Sequence, residues 1–157
     1  MTLQSLRRPF APVALFLLAS CRSSPSPDTS TELPTIPVTL PSGKVIRAEL
    51  ATEPRDQQRG LMFRTSLAPD HGMLFVFPAP AANHPFWMYH TLIPLDILWI
   101  DSHRRIVFVS PQTPPCPSEN APECPNYGGQ AVAQFVLELP AGSIASHGLK
   151  AGDTLRF

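Results

Sequence analysis

Charge is scarce in this sequence, and what there is cancels. Asp, Glu, Lys and Arg make up 15% of 157 residues, with 12 of each sign. No run of Lys or Arg builds the basic face needed to displace counterions from phosphates, so nucleic acid is not an expected partner. Long apolar runs are also missing. The stretch over residues 11–20 falls well short of the roughly 20 residues that span a ~30 Å hydrocarbon layer, which argues against a permanent membrane helix there. Several enzyme signatures are absent as well: there is no G-x-S-x-G elbow, no phosphate-cradling loop and no dinucleotide fingerprint. Cysteine is limited to three residues, and none forms a C-x-x-C knuckle.

Proline, by contrast, is abundant: 20 residues, against a typical share of about 5%. Each one removes a backbone donor and fixes φ, which disfavours long helices and favours edge strands, turns and loops. Apolar residues at 43%, including nine phenylalanines and two tryptophans, supply a core.

The pattern predicts strands at residues 36–40 and 44–50, joined by Pro41-Ser42-Gly43. A helix of about two turns is expected after Thr52-Glu53-Pro54, with Thr52 as cap and Pro54 in the first turn, ending near Gly60. Further strands are expected at residues 73–77, 86–89, 93–101, 105–109, 131–139 and 154–157, with loops at 78–85 and 111–126 and a turn or short helix at 142–150. In the 93–101 strand, Ile93, Leu95, Ile97 and Trp99 share one face, while Asp96, Leu98 and Ile100 share the other. The sum is a mainly β fold: a small antiparallel β-sandwich or barrel with one short helix.

The first 34 residues carry an address. Arg7 and Arg8 precede an apolar stretch of signal-peptide length, and Leu18-Ala19-Ser20-Cys21 resembles the lipobox of bacterial lipoproteins. The resemblance implies that residues 1–20 are a signal peptide removed on export. Cys21 would then carry lipid, anchoring the protein to a membrane in the periplasm or cell envelope. Arg7-Arg8-Pro9-Phe10 also resembles the start of a twin-arginine signal, but the residues that follow depart from it. Residues 21–34 are rich in Ser, Thr and Pro and read as a flexible tether. Residues 35–157 remain as a single domain. With Cys21 lipidated, Cys116 and Cys124 are an even pair in an exported protein and read as a disulfide. The alternative is a metal site, but no histidine lies nearby in sequence. No cofactor is called for, and the domain is read as a monomer.

Over residues 36–157 the chain is similar to the family named domain of unknown function 192. The similarity lies in Gly60-Leu61-Met62-Phe63-Arg64, Gly72-Met73-Leu74-Phe75-Val76-Phe77 and Phe86-Trp87-Met88. It continues in Thr91-Leu92-Ile93-Pro94-Leu95-Asp96-Ile97, Val136-Leu137-Glu138-Leu139-Pro140-Ala141-Gly142 and Gly152-Asp153. The resemblance implies a compact fold related to jelly-roll sandwiches, often in exported proteins, and brings no agreed activity. Tyr89-His90 stand where the family usually shows Lys-Asn, and the cysteine-bearing loop is not general to it.

Among candidate site residues, Asp96 lies between Leu95 and Ile97, where a carboxylate is costly to bury unless hydrogen-bonded. It is read either as a ligand contact or, preferentially, as a structural group tied to backbone amides or to Arg64. Glu138 sits in an apolar strand and can face either way. Asp96 and Asp101 lie too far apart along one strand to act together, whereas an Asp96–Glu138 pair stays open. His84 and His90 are read as surface residues, about 20 Å apart if the segment is straight and so too far apart to share a metal. Phe86, Trp87, Tyr89 and Trp99 are read first as core, with a groove for a flat ligand as the alternative. The expected pocket gathers Arg64, Trp87, Met88, Thr91, Asp96 and Glu138. The functional expectation is an uncharacterised envelope lipoprotein acting as a non-enzymatic binding or accessory module. The alternatives are a hydrolase using Asp96 and Glu138, or a structural partner of another envelope protein.

Overall fold

The computed structural model describes residues 32–82 and 84–157. The expected signal peptide, Cys21 and the tether up to residue 31 lie outside the described residues. Glu32–Phe157 form one compact unit. Eight strands and two short helices follow in the order β1 (Thr35–Thr39), β2 (Val45–Ala51), α1 (Pro54–Arg59), β3 (His71–Ala81), β4 (Pro85–Trp87), β5 (Leu95–Ile100), β6 (Ile106–Thr113), β7 (Asn126–Gly128), β8 (Ala133–Pro140) and α2 (Ser143–His147). Six strands form one sheet in the order β1-β2-β3-β8-β5-β6, while β4 and β7 pair as a separate ribbon.

The mainly β expectation holds, with one correction to strand direction. β2 and β3 run parallel, and every other pair is antiparallel. A parallel pair cannot be closed by a tight turn and needs a crossover of a dozen or more residues. Here α1 and the turns after it supply that connection. The α1 cap also differs: Glu53, not Thr52, takes the cap position, Pro54 opens the helix, and the whole helix is six residues.

Prolines fall where a missing N–H does least harm. Pro37 and Pro111 sit in the edge strands β1 and β6, Pro78 and Pro80 in the outer half of β3, and Pro85 and Pro140 at strand ends. β5 is the reverse case. All six of its residues are buried, as expected of a strand between two neighbours with both faces covered.

Alternation along the strands divides the core into two layers. On one face Val38, Ile46, Leu74, Leu98, Ile100, Leu137 and Leu139 pack with Leu149 and Leu155 from the segment after α2. On the other, Met73, Phe75, Leu95, Ile97, Trp99 and Val136 pack with Leu61 and Met88. Each fully buried Leu, Ile or Phe contributes roughly 1.5–3 kcal/mol of transfer free energy, so both layers are needed to hold the sheet. The result is sandwich-like and not a closed barrel. The expected strand at 154–157 is reduced to two bridges, Arg156 with Thr39 and Thr154 with Arg105. These tie β1 and the start of the β5–β6 return to one segment.

The β4–β7 ribbon lies over Trp99. Gly128 in β7 (φ +64°) passes so close that a Cβ there would lie 2.2 Å from the indole, so only glycine permits this approach. The Trp99 Nε1–H donates to the carbonyl of His84 at 2.8 Å, and Phe86 meets Trp99 and Phe75 edge-on at 5.9 and 4.8 Å. Sulfurs of Cys116 and Cys124 are bonded, with their Cα atoms 5.6 Å apart.

Candidate functional site

Beside this aromatic cluster, a cleft of about 250 Å³ opens between the turn after α1 and β4. One wall is built by the end of α1. The side-chain amide of Gln57 donates to the carbonyls of Val76 at 2.8 Å and Ala51 at 3.3 Å, fastening the helix to β2 and β3. Gly60 ends the helix at φ +47°, and a Cβ there would press on the Phe75 ring at 3.3 Å. The chain can therefore turn inward and bury Leu61. The opposite wall is Pro85, Phe86 and Trp87, with Phe75 and Phe77 between the two. Phe63 N–H donates to the carbonyl of His90 at 2.8 Å, which ties the two walls.

Glu138 comes to this cleft from β8. Its backbone lies in a cross-strand row with Glu49, Met73 and Ile97, so those side chains share a face. Glu138 is 4% exposed, and its Oε2 is buried without a hydrogen-bond partner. Burial between Met73 and Ile97 pushes its carboxyl from the ordinary 4.5 up to about 8, a rise that the nearby Arg64 guanidinium only partly opposes. Arg64 is itself committed: its two terminal nitrogens donate to Glu49 at 2.5 and 2.6 Å, a bidentate pair. That bond holds the guanidinium charged against the cost of burial.

The residues expected to form a pocket are therefore only partly brought together. Trp87, Thr91 and Glu138 line the cleft. Met88 is fully buried in the core beneath it. Arg64 stands behind Glu138, paired with Glu49, a partner that sequence reading did not single out. The only signal for Glu49 was a carboxylate in a mostly apolar strand that also carries Arg47, and recognising it required the parallel β2–β3 register. Asp96 is on the other face of the sheet. Its Oδ1 accepts from Gln112 N–H at 2.7 Å and its Oδ2 from Ile144 N–H at 2.6 Å. It is thus the structural carboxylate bound to backbone amides, holding the irregular end of β6 and the start of α2, and it does not touch Arg64. Since adjacent strands place Asp96 opposite Leu139 and Ile97 opposite Glu138, the two carboxyl groups point to opposite faces. The Asp96–Glu138 hydrolase pair is excluded.

Neither His84 nor His90 stands alone on the surface. His84 stacks on Phe77 at 3.7 Å, and burial lowers its pKa. His90 stacks on Tyr89 at 3.8 Å and reaches Glu119 at 3.4 Å. Among the described residues no three His, Cys, Asp or Glu side chains gather as a metal site, and no helix is long and apolar enough to cross a membrane.

Fold and cleft together define a small mixed-sheet β protein with an open, partly aromatic cleft over a buried carboxyl group. The chain belongs to the DUF192 family, described as an uncharacterized ACR, whose model matches residues 38–157. It is 32% identical to a protein of unknown function from Novosphingobium aromaticivorans, known from a crystal structure. That likeness covers 92% of this chain and 100% of the other, with a TM-score of 0.70. UPF0127 proteins of Thermococcus kodakarensis and Thermococcus gammatolerans are 31% and 29% identical over 100 residues, 63% of this chain in each case. The matched stretch spans 57% and 58% of those two proteins.

Proposed function

We propose that this protein is a non-enzymatic binding module of the cell envelope, held at a membrane through Cys21, with the cleft over Glu138 as its ligand site. The observation that carries the reading is the unpartnered, buried Glu138 oxygen in a cleft walled by Leu61, Phe75, Phe77 and Phe86. A buried polar atom left without a hydrogen bond costs about 1–3 kcal/mol, and a ligand that completes the bond recovers that cost. Binding is favoured over catalysis because the cleft lining, among the described residues, offers no histidine, cysteine or second carboxylate to work with Glu138. Glu49, the other carboxylate of the row, is occupied by Arg64. The envelope address rests on Arg7-Arg8, the apolar stretch over residues 11–20 and Leu18-Ala19-Ser20-Cys21. The Cys116–Cys124 disulfide suits the same oxidising space.

The test is a thermal-shift screen of the full chain against small aromatics, glycans, peptides and metals, repeated with Trp87→Ala. Trp87 is 37% exposed, so its truncation should leave folding intact while removing a cleft wall. Compounds that raise the melting temperature of the native chain and lose their effect in the variant are the expected result. A screen without a single shift rejects the reading.

A second reading, a structural partner for another envelope protein, draws on the rim of the cleft. There Tyr89 stacks on His90, with Phe63 tilted against one end and Trp87 against the other, and Phe63 and Leu92 are more than half exposed. A Phe63→Ser, Leu92→Ser variant that lost cross-linking to a neighbour in intact membranes would favour it.

A further inference from the structure

We propose that the cleft takes an uncharged, mostly apolar molecule the size of one substituted ring, inserted with an acceptor oxygen, a carbonyl or ether, facing the carboxyl of Glu138. This rests on the cleft being a ligand site and adds the chemistry of what fills it.

Size sets the first limit. An apolar cavity of about 150 Å³ accepts benzene, so about 250 Å³ leaves room for a ring with a short substituent. The lining sets the second. Leu61, Phe75, Phe77 and Phe86 offer no hydrogen bonds, and the amide of Gln57 is already used by Val76 and Ala51. Gln58 and Arg59 are exposed to solvent, and the buried Thr91 hydroxyl donates to the carbonyl of Tyr89 at 3.5 Å, so the buried polar group left without a partner is Glu138.

Charge sets the third limit. The charged groups facing Glu138 are few: Arg64 from the segment after α1, Glu49 from β2, and Arg59 among the cleft-lining residues of α1. The adjoining strands β3 and β5 present Met73 and Ile97. Arg64 is neutralised by Glu49 and Arg59 is solvent-exposed, so an anionic ligand gains no desolvated cation beside Glu138. A cationic ligand would have to ionise a group that burial keeps protonated, close to the Arg64 charge. A protonated carboxyl has one O–H to donate, and the unpartnered oxygen is where the structure leaves that capacity unused. An acceptor on a neutral ligand satisfies it without burying a charge.

The experiment is an NMR titration of the full chain with four probes of one size: acetophenone, ethylbenzene, benzylammonium and benzoate. Near pH 6, acetophenone should bind about five-fold more tightly than ethylbenzene, and both charged probes more weakly than either. Glu138→Leu should abolish the ketone's advantage while ethylbenzene still binds, which reports an intact cleft. Raising the pH to about 9.5 should remove the same advantage in the native chain, because a carboxylate cannot donate. Equal affinity for ketone and hydrocarbon, or tighter binding of benzylammonium, overturns the inference and leaves the cleft a ligand site of another kind. If none of the four perturbs residues 57–62 and 85–91, this inference fails, and the binding-module reading falls with it only if the thermal-shift screen is also without a hit.

Discussion

In the native chain at pH 7 the Glu138 carboxyl is mostly protonated, whereas in the unfolded chain it is ionised. An acid whose folded pKa is raised binds more protons in the native state, so its effect on stability is nil below the unfolded value and unfavourable above it. With a rise from 4.5 to about 8, stability should fall as pH climbs through that window, on the order of 1.4 kcal/mol per unit and about 3 kcal/mol by pH 7. Urea denaturation at several pH values should show that decline, and Glu138→Gln should flatten it. Asp96 makes the opposite prediction. Removing it in Asp96→Ala leaves the part-buried amides of Gln112 and Ile144 without their acceptor, which should cost about 1–3 kcal/mol in the same denaturation assay. Affinity for any cleft ligand should not change. Sequence alone marked both carboxylates as unusual, because each sits in an apolar strand. Alternation also placed Asp96 with Leu98 and Ile100, correctly. What it lacked was the register of β8, which decides that Glu138 turns toward Met73 and Ile97 and not toward Asp96.

At the level of elements, the loop closed by Cys116 and Cys124 is bound to one wall of the cleft. Cys116 N–H donates to the carbonyl of Met88 at 3.2 Å, the Tyr89 hydroxyl donates to the carbonyl of Glu119 at 3.3 Å, and His90 faces the Glu119 carboxylate. Closing a ring of sequence separation 8 stabilises by about 2.5 kcal/mol on chain-entropy grounds. Reductant should therefore lower the melting temperature by roughly 10 °C, and residues 88–91 should exchange their amide hydrogens faster. Strand positions were largely legible, since apolar alternation and proline punctuation are local signals. Two departures were not. Strand β3 runs on through Pro78 and Pro80, because the prolines lie in an exposed stretch where a lost donor is tolerated. β2 and β3 run parallel because residues between Ala51 and His71 cross over the sheet, a long-range choice that no local pattern encodes.

For the molecule as a whole, the proposal joins an anchor at Cys21 to a domain that begins at Glu32. Cys21→Ser should release the protein from the membrane fraction into the soluble one after cell fractionation, without altering the melting temperature of the domain. Mass spectrometry of the native protein should show acyl chains on Cys21, and an unmodified thiol there would reject the anchor. At this scale the mainly β, sandwich-like architecture was legible in the strand pattern, whereas the mixed six-stranded sheet was not.

Arg156 pairs with Thr39, and Thr154 with Arg105, so strand β1 is fastened by residues from the far end of the sequence. Contacts of such separation are slow to form, and this one must wait until the last strand-pairing residues of the domain are available. A polypeptide wired in this way finishes its first strand last, so trimming the final residues should loosen β1 before any other part of the sheet.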